Sequence, residues 1–308
     1  MIQKISYFFA LYGLLIVYSS QCMLSMMQRA TLQTNLKNAL FYKKLGRSMR
    51  NVSTHNCKAK RAIIVGASSG MGKQVAKLLS NEGYILGLTS HKEELLKPLQ
   101  QEITGVSYIR KIDVIDVKAR EQFIELVKEL GGLDLLVISI SAYHDNTISN
   151  TTDQLTWEEK QRTLRVDAYG VIALADVAFD YFMKQNSGHF VGISSTSGLR
   201  GSAATPVYSA AKSCISCYME AMRNYMTQNN INVQVTDVIP GWVAVEHSPL
   251  GTDSNAYWEI EKEKAGQAIV NGIKRKDKKT YVPSKVGFIA FLLRHMPDWF
   301  YNKYFPWI

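Results

Sequence analysis

The chain has 308 residues, with 36 Lys and Arg against 26 Asp and Glu and a formal net charge of +10; this length suits one α/β domain of about 250 residues with a single substantial core. A basic balance points to nucleic acid or an anionic membrane. Nine of the basic residues and none of the acidic ones lie in residues 1–60, so the rest of the chain is nearly neutral, which argues against nucleic acid as a partner.

Residues 1–60 read as a hydrophobic and basic leader. Ile5 to Val17 is almost wholly apolar, and with Ser and Gln tolerated the stretch reaches Met27, near the ~20 residues of a membrane span. The basic excess that follows would hold the body on the cytoplasmic side. A signal peptide, an organellar transit peptide and a leader outside the functional chain, ending before Met49, are the competing readings. The four cysteines, Cys22, Cys57, Cys214 and Cys217, imply no disulfide framework. Cys214-x-x-Cys217 lacks the second ligand pair of a metal site, and is read as two small buried residues within a helix.

Downstream, apolar β-rich runs alternate with amphipathic helices, the pattern of a doubly wound parallel sheet. Arg61–Val65 is the first strand. It breaks into Gly66-x-x-x-Gly70-x-Gly72 and then a helix, Met71–Asn81, whose buried side carries Val75, Ala76, Leu78 and Leu79. Such a turn lets backbone approach a pyrophosphate, and the helix N-terminus attracts its charge. Gly66, Ser68, Ser69, Gly70, Met71 and Gly72 are therefore candidate cofactor-binding residues. Strands follow at Tyr84–Thr89, Val106–Ile112, Leu133–Ser139, Gly188–Ser194 and Asn232–Val238, with a short last one at Tyr281-Val282. Helices are expected over Glu93–Glu102, Val117–Leu130, Leu155–Asn186, Tyr208 to about Gln228, and Trp258–Lys274. Residues 142–154 read as a loop at the mouth of the site, and Glu246–Tyr257 as a substrate loop with Pro249, Leu250 and Tyr257 as apolar contacts, beside Trp258.

The stretch Ser195–Lys212 carries the chemistry. Ser195 ends an apolar run, and Tyr208 and Lys212, four apart on a helix, share one face. A neighbouring ammonium favours the phenolate of a tyrosine that otherwise titrates near ~10, so Tyr208 is expected to have a lowered pKa and to exchange a proton near neutrality. Ser195 would hydrogen-bond the same substrate oxygen.

The glycine turn and the Ser195, Tyr208 and Lys212 set, in this order and separation, resemble the short-chain dehydrogenase/reductase family from about residue 60 to the C-terminus. The resemblance implies a Rossmann-like catalytic domain over residues 61–283 and an NAD(P)-dependent oxidoreductase that interconverts a carbonyl and a secondary alcohol. It also implies a homo-oligomer formed through the Leu155 and Tyr208 helices. In the family the end of the second strand meets the adenosine ribose. Here Ser90 and His91 stand there with no acidic residue before Glu93, which favours NADP(H) over NAD(H). Asp113 and Val114 take the adenine position, Ser139 the ribose side, and Pro240, Gly241 and Val243 the turn beside the nicotinamide. Four departures accompany the resemblance. Ser139 and Ser141 fall where the family usually has Asn-Asn-Ala-Gly, Asp167 replaces an asparagine of the proton relay, and Val245 replaces a threonine. These departures motivate an alternative, a cofactor-binding scaffold or redox sensor with little catalysis. No metal is expected. Residues 284–308 read as an apolar and aromatic tail, in which Val286–Met296 is a helix too short to span and the aromatic and basic residues after it suit either a membrane interface or a cover for the core. The basic cluster Lys274–Lys279 fits the same two readings. An apolar, lipid-like carbonyl substrate follows from the substrate loop and the leader.

Overall fold

Strands buried on both faces read as continuous apolar runs, and those runs form the central layer here. The computed structural model describes residues 59–68, 70–142, 155–203, 205–244 and 260–304. Residues 1–58 of the leader, Ser69, residues 143–154, Val245 and the Glu246–Tyr257 loop with Trp258 lie outside them.

Among the described residues one sheet holds seven parallel strands: β1 (Arg61–Val65), β2 (Ile85–Ser90), β3 (Ser107–Lys111), β4 (Leu135–Ile138), β5 (Gly188–Ile193), β6 (Val233–Pro240) and a last strand at Lys279–Val282. Their spatial order is β3-β2-β1-β4-β5-β6 followed by Lys279–Val282. The order reverses between β1 and β4, the switch point where open α/β sheets bind ligands beyond the strands' carboxyl ends. A two-residue pair, β7 (Val243–Ala244) with β8 (Ile260–Glu261), flanks this sheet, which makes Lys279–Val282 β9.

Helices cover both faces: α1 (Gly70–Asn81), α2 (Lys97–Glu102), α3 (Ala119–Glu129), α4 (Trp157–Leu164), α5 (Val171–Gln185), α6 (Pro206–Gln228) and α7 (Lys262–Arg275), then α8 (Val286–His295) and α9 (Asp298–Tyr304). The expected sheet and most helices are present, with physical exceptions. The Glu93–Glu102 helix splits at Leu96 into a 3-10 turn and α2, because Pro98 at the start of α2 has no N–H to give the preceding turn. Leu155–Asn186 is not one regular helix either. A capping box at Thr156 and Glu159 starts α4, and Arg165–Gly170 then widens into a π-helical segment before α5, a local bulge that often marks a functional site. The helix ahead of β9 starts at Lys262 because Ile260 and Glu261 pair with Val243 and Ala244. Pro240 ends β6 in register with Val282 instead of following the strand.

Cys214 and Cys217 correct the expectation of burial: both are exposed. Along α6 the 3.6-residue period turns Ala211, Lys212, Ile215, Ser216 and Met219 inward, and residues 214 and 217 fall on the opposite side.

Phe179 of α5 meets Phe190 of β5 edge to face, with centroids 5.2 Å apart, and both rings are buried. This contact packs α5 on the strand that leads to Ser195. A second constraint is polar. Asp237 on β6 is fully buried and accepts hydrogen bonds from Ser194 Oγ at 2.5 Å and Ser216 Oγ at 2.6 Å. One carboxylate thus ties the end of β5 to β6 and α6. Burial pushes its pKa up, against the two hydroxyls and the more distant Arg223 and Lys279. Asp237→Ala takes the acceptor from the buried Ser216 hydroxyl and leaves Ser194 Oγ only Val238 O at 3.2 Å, and is expected to cost about 1–3 kcal/mol in urea unfolding. A raised carboxyl pKa favours the protonated form in the folded state. Wild-type stability relative to Asp237→Asn should therefore be greatest in acid and fall as pH rises from the unfolded carboxyl range through the raised value.

Candidate active site

β1 hands the chain to the glycine turn at the switch point. Gly66 has φ +82°, and a Cβ built there would sit 2.2 Å from the carbonyl oxygen of Ser139 at the end of β4. Only glycine accepts both the backbone angle and that approach. The amides of Gly66 and Ala67 donate to Thr89 O, each at 3.0 Å, so the turn is stitched to β2 as well. Gly70, Met71 and Gly72 form the first turn of α1, where unpaired amides and the helix dipole favour an anion. At the end of β2, Ser90 Oγ donates to Ser68 Oγ at 3.0 Å and accepts from the Lys92 amide at 3.3 Å. Ser90 is buried, and His91 and Lys92 are exposed.

Beyond β3, Asp113 accepts from the Ile115 amide at 3.2 Å, a local turn. Val114 is buried against Gly170, where a Cβ would meet its side chain at 2.5 Å. Gly241 donates its amide to Val282 O, and Val243 packs on the core from β7. The sites predicted for a dinucleotide, Ser69 apart, thus lie along the carboxyl ends of β1 to β4 and β6.

The catalytic candidates come together from four elements. β5 delivers Ser195, whose Oγ accepts from the Ser197 amide at 3.1 Å in a short turn over Thr196–Gly198. That turn presses on α6: a Cβ on Gly198 would lie 2.7 Å from the Lys212 carbonyl carbon, and Ser213 Oγ donates to Gly198 O at 2.7 Å. α6 carries Tyr208 and Lys212 on one face, with Nζ 5.5 Å from the Tyr208 ring centroid. Tyr208 is half-buried and hydrogen-bonds to Ser195 and to Ser141. In the sequence Ser141 reads only as a departure from the family. Its position at the end of β4 is the signal that marks it.

Lys212 lies 2.9 Å from Asp167 Oδ1, with the two side chains 2% and 0% exposed. Asp167 projects from the π-helical segment, and its Oδ2 accepts from the Ala142 amide at 2.9 Å. The ammonium also donates to Ile193 O at 3.3 Å and Ile140 O at 3.4 Å. Burial pushes the Lys212 pKa down, but Asp167, with Tyr208 and the more distant Asp237, holds it above the ordinary lysine value. Lys212 is therefore a charged ammonium at neutral pH.

For Tyr208 the expected direction is corrected. Burial raises the phenol, and Asp167 adds to the rise. Lys212 and the Ser195 and Ser141 hydroxyls pull the other way without reversing it. Desolvation of the phenolate outweighs an ammonium whose charge is shared with Asp167. Tyr208 is thus a protonated phenol at neutrality. Among the described residues no group of His, Cys, Asp or Glu could hold a metal.

The family model described as short chain dehydrogenase matches residues 60–253. The chain belongs to the short-chain dehydrogenase/reductase family and is an NAD(P)-dependent oxidoreductase. An uncharacterised oxidoreductase of Myxococcus xanthus is 26% identical over 243 residues, which cover 77% of this chain and 92% of that protein. Two solved structures share the fold. A short-chain dehydrogenase from Streptomyces avermitilis superposes with TM-score 0.65 at 19% identity, covering 81% of this chain and 98% of that one. The acetoin dehydrogenase YohF of Salmonella typhimurium superposes with TM-score 0.61 at 18% identity, covering 73% and 94%.

Asp167→Ala leaves a buried ammonium without its counter-charge and is expected to cost about 3–5 kcal/mol in urea unfolding at neutral pH. Asp167→Asn keeps an oxygen for the Ala142 amide and should lose less. Gly66→Ala should abolish nicotinamide dinucleotide binding in a fluorescence titration, because the side chain would push the turn off Ser139.

Proposed function

We propose that the protein is an NADP(H)-dependent reductase of an apolar carbonyl compound, or the corresponding alcohol dehydrogenase, with Tyr208 as proton donor. The observation that carries this reading is the convergence of the Tyr208, Ser195 and Ser141 hydroxyls beside a buried, charged Lys212. When bound, the nicotinamide supplies or accepts the hydride. The glycine turn, the Ser139 backbone and the Pro240-Gly241 segment line the carboxyl edge of the sheet where a dinucleotide fits.

In reduction, the Ser195 and Tyr208 hydroxyls both donate to the carbonyl oxygen, which orients the carbonyl and stabilises charge growing on its oxygen. The Tyr208 proton passes to that oxygen, and the phenolate left behind faces the Lys212 ammonium. Asp167 holds Lys212 in place and charged, as a positioning residue. In the oxidative direction Tyr208 must first lose its proton, so alcohol oxidation should rise with pH, while reduction persists on the alkaline side until the phenol ionises.

The NADP(H) preference is drawn from the end of β2. Ser68 and Ser90 present small hydroxyls there, His91 and Lys92 are exposed beside them, and the chain has no acidic residue between Ser90 and Glu93 to hold free ribose hydroxyls. The substrate class rests on the apolar residues of the expected substrate loop. The scaffold reading is less favoured, because a sensor has no use for a buried ammonium held beside two hydroxyls and a phenol. Association into a homo-oligomer and a cytoplasmic location of the catalytic body remain part of the proposal.

Tyr208→Phe is expected to lower turnover on a carbonyl panel by roughly 10²–10⁴-fold while NADPH binding is retained; near wild-type turnover would remove Tyr208 from the mechanism. NADPH and NADH titrated separately should give tight and weak binding respectively. The opposite order would overturn the cofactor preference.

A further inference from the structure

Helix α8 is apolar on two opposite sides. Val286, Ala290 and Leu293 face the fold and are buried, whereas Phe288, Phe291 and Leu292 are 69%, 59% and 40% exposed. Positions three and four apart form one helix face, so the exposed side chains make a stripe that no part of the described fold covers. The stripe continues into α9. An open apolar notch of about 330 Å³ is lined by Leu292, His295, Met296, Pro297 and Phe300. The Phe300 ring meets that of Trp299 edge to face at 5.6 Å, and Trp299 is 69% exposed. Single exposed apolar residues need no explanation, but a continuous patch of this kind marks an interaction surface.

The patch is held in place from behind. Arg200 donates to Leu293 O at 3.0 Å and to Met296 O, pairs with Asp298 at 2.5 Å, and lies 4.2 Å over the Tyr301 ring. Tyr301 is buried, and its hydroxyl donates to Gly201 O at 3.2 Å. Arg200 and Gly201 belong to the segment between Ser195 and Tyr208, so the two helices are clamped to the loop that separates the catalytic candidates.

Charge indicates the occupant. Lys285 at the start of α8, Arg294 in its last turn and Lys303 on α9 are exposed around the stripe. Asp298 is the only acidic residue between 284 and 304, and it is paired with Arg200. Aromatic and aliphatic residues edged by cations are the composition of a helix lying in a bilayer interface, with tryptophan at headgroup depth. A second copy fits less well, because a two-fold contact through this face would bring the three cations of one copy together with the three of the other.

We propose that the α8–α9 face docks on an anionic lipid surface. Phe288, Phe291, Leu292 and Trp299 enter the headgroup–acyl boundary, and Lys285, Arg294 and Lys303 meet the lipid phosphates. Docking there brings the Ser195–Tyr208 loop close to the lipid, where an apolar carbonyl compound concentrates. That consequence rests on the proposed reaction; the docking itself does not.

The test is hydrogen exchange of the full chain with and without vesicles of phosphatidylcholine alone or mixed with phosphatidylserine. Exchange across 286–304 should slow several-fold with the mixed vesicles and little with phosphatidylcholine alone, and the slowing should fade as salt screens the cations. The Phe288→Ser/Phe291→Ser variant should lose that protection while binding NADPH as the wild type does. The proposal is overturned if the chain sediments with mixed vesicles and 286–304 exchanges unchanged, or if no vesicle alters this region. It is equally overturned if lipid-free protein gains the same protection as its concentration rises, which would assign the face to a second copy. Tyr208→Phe should leave all these readouts untouched, so failure of the reaction scheme is separable from failure of the docking.

Discussion

The buried contact between Lys212 and Asp167 is the constraint around which the site is built. An ammonium taken out of water carries a desolvation penalty of several kcal/mol, recovered only with a well-placed counter-charge and further acceptors. Asp167 is that counter-charge, at 2.9 Å, and Ile140 O and Ile193 O are the further acceptors. Satisfying one cation therefore draws together α6, the ends of β4 and β5, and the π-helical segment. The asparagine expected from the resemblance would provide hydrogen bonds without charge. The carboxylate instead stabilises the charged lysine directly and raises the Tyr208 phenol at the same time.

Around this pair the backbones approach more closely than side chains would allow. Gly66 lets the dinucleotide turn touch Ser139, and Gly198 lets the Ser195 turn rest on the α6 backbone. Asp237 is the corresponding polar tie, binding the serine before Ser195 to the serine one turn after Lys212. Ser195, Tyr208 and Lys212 thus sit among backbone segments tied to one another by close approaches and buried hydrogen bonds. The C-terminal helices extend the same framework outward: Arg200 clamps them to the segment between Ser195 and Tyr208.

Much of this was legible in the sequence. Apolar runs alternating with 3.6-residue periodicity determined the parallel sheet and its covering helices, because burial on both faces of a strand and one face of a helix leaves distinct patterns. The glycine spacing and the Tyr-x-x-x-Lys pair determined the family and the candidate residues, since both are local: a turn needs its glycines and a helix sets residues four apart side by side. The tertiary structure decided what depends on contacts between distant segments. It brought Asp167 onto Lys212 and turned Ser141 toward Tyr208. It made Asp237 a buried tie, hinted at only by a lone acid in an apolar strand, and let burial, and not Lys212, set the direction of the Tyr208 pKa. It also turned Cys214 and Cys217 outward and left α8 with one apolar face packed and the other exposed. Composition cannot separate those two faces, because both are apolar and only the packing of the fold distinguishes them.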